Sequence, residues 1–187
     1  MNYKGFLRRG GNIFLLLLGL TASPALALTL QLSSAEKLTA DSDLIVAGRV
    51  VSIEYAWEDE TRRAINTLLT VEVEQYLKGS GNAAVVVRQL GGRIGNFGDE
   101  IPGVPQFEAG EEVVLFLVSH RGDYWIHSMA LGAFRVFSDE TGEKLVYNNL
   151  PDVTVIDPAT QQTLRGEDVF GVTVLGEFIA QIKSYVR

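Results

Sequence analysis

Ser34-Ala35-Glu36-Lys37 sets a serine three residues before a lysine, the spacing at which a lysine amine can help turn a serine into an acylating nucleophile. The K-T-G triplet that accompanies such a pair is absent. Ser33 or Ser34 serves better as the N-cap of a helix carrying Glu36 in its first turn and Leu32, Ala35 and Leu38 along one edge. Gly91-Gly92-Arg93-Ile94-Gly95 has the composition of a phosphate-cradling loop. Such a loop needs a helix N-terminus directly after it, and here Asp99, Glu100 and two prolines follow. His120 and His127 are the two histidines, and there is no cysteine thiolate to join them in a metal site. His127 alternates with apolar neighbours from Trp125 to Met129, as a structural histidine beside a core does. Asp139, Glu140 and Glu143 could hold calcium, although three acids in a hairpin turn are more often simply solvated. Arg121-Gly122-Asp123 is the integrin-binding tripeptide and equally an ordinary tight turn. No nucleophile, base and oxyanion donor fall into a recognisable constellation. The sequence therefore implies no catalytic residues, no metal, no cofactor and no enzyme activity.

What remains is the segment Gly91–Gly110, with six glycines and Pro102 and Pro105, long for a connection in a compact domain. Arg93, Ile94, Phe97, Ile101, Val104 and Phe107 make it more apolar than a solvated loop requires. Two readings are open. The prolines could stiffen the segment for presentation to a protein partner, lowering the entropy cost of binding. Alternatively its apolar side chains fold back and plug one end of a barrel.

The elements that must position this segment are strands. Leu44–Ala47 is apolar on both faces, whereas Val51, Ile53, Tyr55 and Trp57 alternate with Ser52, Glu54 and Ala56. A strand whose buried face changes midway must bend, and Gly48 stands at the change. A kinked strand that serves two sheets is how a small barrel turns its corner; the alternative is a weakened ordinary strand. After a turn at Glu58–Thr61, alternation resumes from Ile65 to Val73, and a second turn at Lys78–Asn82 leads into Ala83–Leu90. Glu112–Ser119 reads as a central strand, His120–Asp123 turns it into Tyr124–Leu131, and Ala133–Ser138 with Leu145–Asn148 form a hairpin. Near the end, Thr173 can cap a helix with Val174, Leu175, Phe178, Ile179, Ile182, Tyr185 and Val186 at helical spacing.

The first 27 residues read as a secretory leader. Lys4, Arg8 and Arg9 precede the apolar run Ile13–Leu20, and Ala25-Leu26-Ala27 offers a cleavage site. That run is shorter than the roughly 20 residues a transmembrane helix needs, so a retained anchor is the weaker reading. Cleavage after Ala27 removes three of the 16 basic residues and leaves 13 against 23 acidic ones. So acidic a chain is a poor partner for nucleic acid or anionic membrane surfaces. The lack of cysteine excludes disulfides and thiol chemistry, so an exported domain of this length must be held by its core alone.

Ser42 to Ser52, the run Val71–Gly79 (VEVEQYLKG) and Glu112–Leu117 resemble the netrin-like N-terminal domain of tissue inhibitors of metalloproteinases. The span Asp41–Val136, with its GGR and GVPQF segments, is also similar to small exported bacterial proteins. The resemblance implies an OB-type barrel of five strands. In that family an N-terminal cysteine chelates the protease zinc; with no cysteine here, no inhibitory residue carries over. The expectation is a leader (1–27) and a single mainly β domain (28–187). Its OB-like or netrin-like barrel, closed or partly open, covers about residues 41–150, with a short N-terminal helix and a C-terminal amphipathic helix. The expected task is non-catalytic binding of another exported protein, in its specific form a protease that is modulated or inhibited, in the periplasm or outside the cell. A structural component of the envelope or extracellular matrix, assembling through the C-terminal helix, is the alternative.

Overall fold

Polar turns after Trp57 and Lys78 cut the long alternating stretches into strands that fold back on one another. In the computed structural model, which describes residues 28–148, 150, 153–166 and 169–186, the result is mainly β. The leader read at residues 1–27 lies outside the described residues. A short strand β1 (Leu28–Gln31) and a helix α1 (Ala35–Asp41) come first. The long strands β2 (Leu44–Trp57) and β3 (Ile65–Lys78) follow, then β4 (Ala84–Leu90). After the hairpin β5 (Gly92–Ile94) and β6 (Phe97–Asp99) come β7 (Glu112–His120), β8 (Asp123–Ile126) and a 3-10 turn (Met129–Gly132). The chain ends with β9 (Ala133–Ser138), β10 (Lys144–Asn148), β11 (Val153–Ile156), β12 (Thr163–Arg165), β13 (Thr173–Val174) and α2 (Leu175–Tyr185).

Five strands close a ring: β2 pairs with β3, β3 with β4, β4 with β8, β8 with β7, and β7 with β2. All these pairs are antiparallel except β4–β8, a parallel seam of two residue pairs, Val87↔Tyr124 and Arg88↔Trp125. On its side away from β2, β7 forks: Glu112–Leu115 pairs with β9, and Leu117–His120 pairs with β8. From β9 the sheet runs on through β10 to β13.

The bend expected at Gly48 is present. The β2–β3 register shifts three times, between Ile45 and Val46, Ala47 and Gly48, and Val50 and Ser52. A Cβ on Gly48 would lie 2.1 Å from the Glu72 carbonyl oxygen, so only glycine lets the two backbones approach this closely. The two-faced apolar runs have a direct cause. Leu44, Val46 and Val50 join Leu69, Val71, Val87, Leu115 and Leu117 inside the ring. On the other face, Ile45, Ala47, Val114 and Phe116 meet Leu38 of α1 and Phe178 and Ile182 of α2. Each strand is buried twice because the ring fills one side and two helices cover the other.

Ser34 is the N-cap of α1, where its Oγ accepts from the Lys37 amide at 3.1 Å. Thr173 does not cap α2: it pairs with Val146 in β13, and the helix starts at Leu175 after Val174 with no side-chain cap. The C-terminal helix lies on the sheet, its Phe178 and Ile182 buried by the chain's own core rather than left for a partner. The residues between Asn148 and the helix, in which the sequence predicts no element, contain β11 and β12, and β1 pairs in parallel with β11. Leu30, Leu32, Leu131, Leu150 and Val155 form a third, smaller cluster there. Among the described residues no helix is long and apolar enough to cross a membrane.

Candidate functional site

Most of the chemistry-bearing residues turn out to serve local structure. The Lys37 ammonium sits 2.5 Å from Asp41 Oδ2, one turn along α1, not on the Ser34 hydroxyl, which is taken by the cap. His120 is exposed at the end of β7. His127 is half-buried, and burial holds its imidazole below the ordinary histidine pKa. Arg121 and Gly122, with φ of 53° and 89°, form the tight turn that returns β7 into β8. Asp139 Oδ1 accepts from the amides of Thr141 and Glu143 at 2.8 and 3.0 Å, which ties that carboxylate to its own turn. The Thr141 hydroxyl, which donates to the same oxygen, chiefly holds its pKa below the usual carboxylate range, and the amide bonds add to this. Among the described residues no group of three histidine, cysteine or acidic side chains could hold a metal ion.

The segment Gly91–Gly110 is neither wholly loop nor wholly plug. Its first half is the hairpin β5–β6, in register Gly92↔Asp99, Arg93↔Gly98 and Ile94↔Phe97, with Gly95-Asn96 at the turn. The hairpin is seated on the β2–β3 ribbon. The Gly91 amide donates to the Ile65 carbonyl at 2.8 Å, and the Thr67 hydroxyl donates to the Gly91 carbonyl at 2.8 Å. Gly92 sits so close that an added Cβ would lie 2.5 Å from the Tyr55 ring, and its φ of +133° also requires glycine. Arg93 is exposed and Ile94 half-buried. Phe97, at 66% exposure, is the most exposed large apolar side chain among the described residues. Its ring meets Trp57 edge-on, centroids 5.7 Å apart at 69°, so an exposed aromatic is nevertheless held in place.

The second half folds back. Ile101 lies against Gly91, and Val104 turns back on Ile101 through an amide-to-carbonyl bond of 3.2 Å. The Gln89 side chain, 5% exposed, donates to the Pro105 carbonyl at 3.1 Å, and the Ala130 amide donates to the Gly103 carbonyl at 3.1 Å. Phe107 packs against the core inside the ring, with the Arg135 guanidinium 5.3 Å from its ring centroid. Arg135 also donates to the Gln106 carbonyl and pairs with Glu111. Phe107 thus belongs with the plug and not with an exposed surface, whereas Arg93 and Phe97 stay outside. The six residues lie on one segment of the sequence, and the fold splits them at about Asp99. A hairpin signal was available in Gly95-Asn96 between Ile94 and Phe97, a two-residue turn pair flanked by apolar residues.

No family model matches this chain, and no curated protein is found to be similar to it.

Proposed function

We propose that this chain is an exported, non-catalytic protein-binding module, in one domain, whose ring is of the OB type and whose β5–β6 hairpin meets the partner. The carrying observation is Phe97: 66% exposed, braced by Trp57, on a hairpin bonded to β3 at its base. Aromatic anchors of this kind supply most of the energy in protein interfaces, and a pre-formed hairpin lowers the ordering cost. The OB assignment is supported by the five-strand order with its one parallel seam. The netrin-like resemblance makes an exported protease the specific form of the partner. In the periplasm or outside the cell, inhibition would have to work without a cysteine at the zinc.

The test places a photo-crosslinking phenylalanine at position 97 and, as a control, at exposed position 86, in protein made by its own cell. A discrete adduct from position 97 alone, competed by unlabelled wild-type protein but not by Phe97→Ala, is expected. Equal labelling from both positions, or none, sinks the proposal. Unchanged proteolysis when an exported metalloprotease of the same cell is mixed with excess protein removes the protease form only.

A further inference from the structure

Beyond Val50 one edge of β2 is open: β7 pairs with Leu44–Arg49, and among the described residues only β3 pairs with the stretch from Ser52 to Trp57. Two bonds fix the backbone directions there. The Glu58 amide donates to the Ala64 carbonyl at 2.9 Å, and the Ile65 carbonyl, opposite Trp57, turns away from β2 to accept from the Gly91 amide at 2.8 Å. Because an antiparallel ladder alternates, Ser52, Glu54 and Ala56 bond to β3, whereas Ile53, Tyr55 and Trp57 aim their N–H and C=O groups at the open side. The β5–β6 hairpin lies over the face that Tyr55 and Thr67 share and pairs only with itself. Exposed edges are normally blunted by lysine or proline; Val51–Trp57 contains neither, and its register shift lies at the start, before Ser52. Such an edge is a template for one kind of ligand, an extended polypeptide backbone.

The side chains beside the edge specify the segment. Glu54 is exposed on the face away from the core. On the other face Tyr55, 48% exposed, joins Asp99 and Glu100 around a cavity of about 340 Å³ whose lining holds one cation, Arg93. None of Glu54, Asp99 and Glu100 is in an ion pair among the described residues. Residues directly opposite one another on paired strands share a face and interact. An added strand therefore fits best with basic residues opposite Glu54 and Tyr55, the second also over an aromatic ring, and apolar ones opposite Ile53 and Trp57. A second copy is disfavoured, since pairing about Glu54 or Tyr55 would set these acids against their own counterparts. We propose that an extended segment of the protein partner, basic at its centre and apolar on either side, adds to β2 along Ile53–Trp57 as an antiparallel strand. This rests on the reading of the chain as a protein-binding module and names how the partner is held.

The probe is the peptide Thr-Val-Thr-Arg-Arg-Val-Thr, acetylated and amidated, titrated into the full chain while backbone amide resonances are followed by NMR. Saturable movement and slowed exchange of the Ile53, Tyr55 and Trp57 amides are expected, larger than at Ser52, Glu54 and Ala56. N-methylation of the first arginine, whose amide would face Tyr55, should abolish binding, and N-methylation of the second, whose amide would point away, should not. Replacing the second arginine by glutamate should weaken binding about tenfold, and Glu54→Lys should restore it. No movement at millimolar peptide, equal binding of the two methylated forms, or equal binding of the glutamate form overturns the proposal. Movement of the same amides with protein concentration alone overturns it too, by assigning the edge to a second copy. A position-97 adduct from protein that ignores the peptide overturns strand addition and leaves the hairpin reading standing; peptide binding without that adduct does the reverse.

Discussion

The two halves of β2 differ in what surrounds them. Along Leu44–Arg49 the strand has β3 on one edge, β7 on the other, ring core on one face and α1 and α2 beyond the other. From Val51 to Trp57 it pairs, among the described residues, with β3 alone, and Val51 and Tyr55 are 46% and 48% exposed. One strand therefore serves as structural centre at its start and as a platform for the hairpin at its end. The first half should respond to substitution in stability, the second in recognition.

The largest expected effect tests the helix-covered face. Phe116 is fully buried against Phe134 and Phe178, and Phe116→Ala should cost about 3–5 kcal/mol in denaturant unfolding. A smaller loss would mean that the helices cover the sheet more loosely than these contacts imply. Next comes the hinge between the two halves. Gly48→Ala should cost about 3 kcal/mol, since the added carbon meets backbone that cannot rotate away. At exposed Gly95, φ +60° with open space around it, the same change should cost only about 1 kcal/mol. Glu112, beside the end of the buried half, accepts from Lys144 and Arg49 at 2.5 Å each, and the Lys144 bond chiefly holds its pKa below the usual range. A lowered folded-state pKa gives stability that is present above the unfolded value, about 4.3, and is lost as pH falls through the lower folded value. Comparing Glu112→Gln with wild type across pH 6 to 2 should show about 1 kcal/mol of acid-labile stability missing from the variant. The smallest stability change belongs to the platform: Phe97→Ala should alter unfolding by less than about 0.5 kcal/mol while losing the power to compete for the crosslinked adduct.

Much of this architecture is written locally, and the rest is not. Alternation from Val51 and Ile65 and the polar turns between them specify β2 and β3, and Gly48 marks the bend, because each signal lies within a few residues of its effect. Ring closure depends on Arg88 meeting Trp125, residues far apart in the chain that no local pattern links. Thr173 looks like a cap in isolation but is drawn into a strand pair with Val146, a tertiary contact overriding local preference. Short strands such as β11 and β12 carry too few residues for any period to show. The hairpin candidate was partly legible, since apolar residues in a glycine-rich segment are visible; which of them turn inward was not.

The fork in β7 has a further consequence. The edge that carries β9 as far as Leu115 passes to β8 at Leu117, so ring and outer layer hang from one continuous backbone. Neither can peel away without loosening the amides the other depends on. Solvent deuterons should therefore reach Val113–Leu117 last, and the two layers should melt as one event rather than in turn.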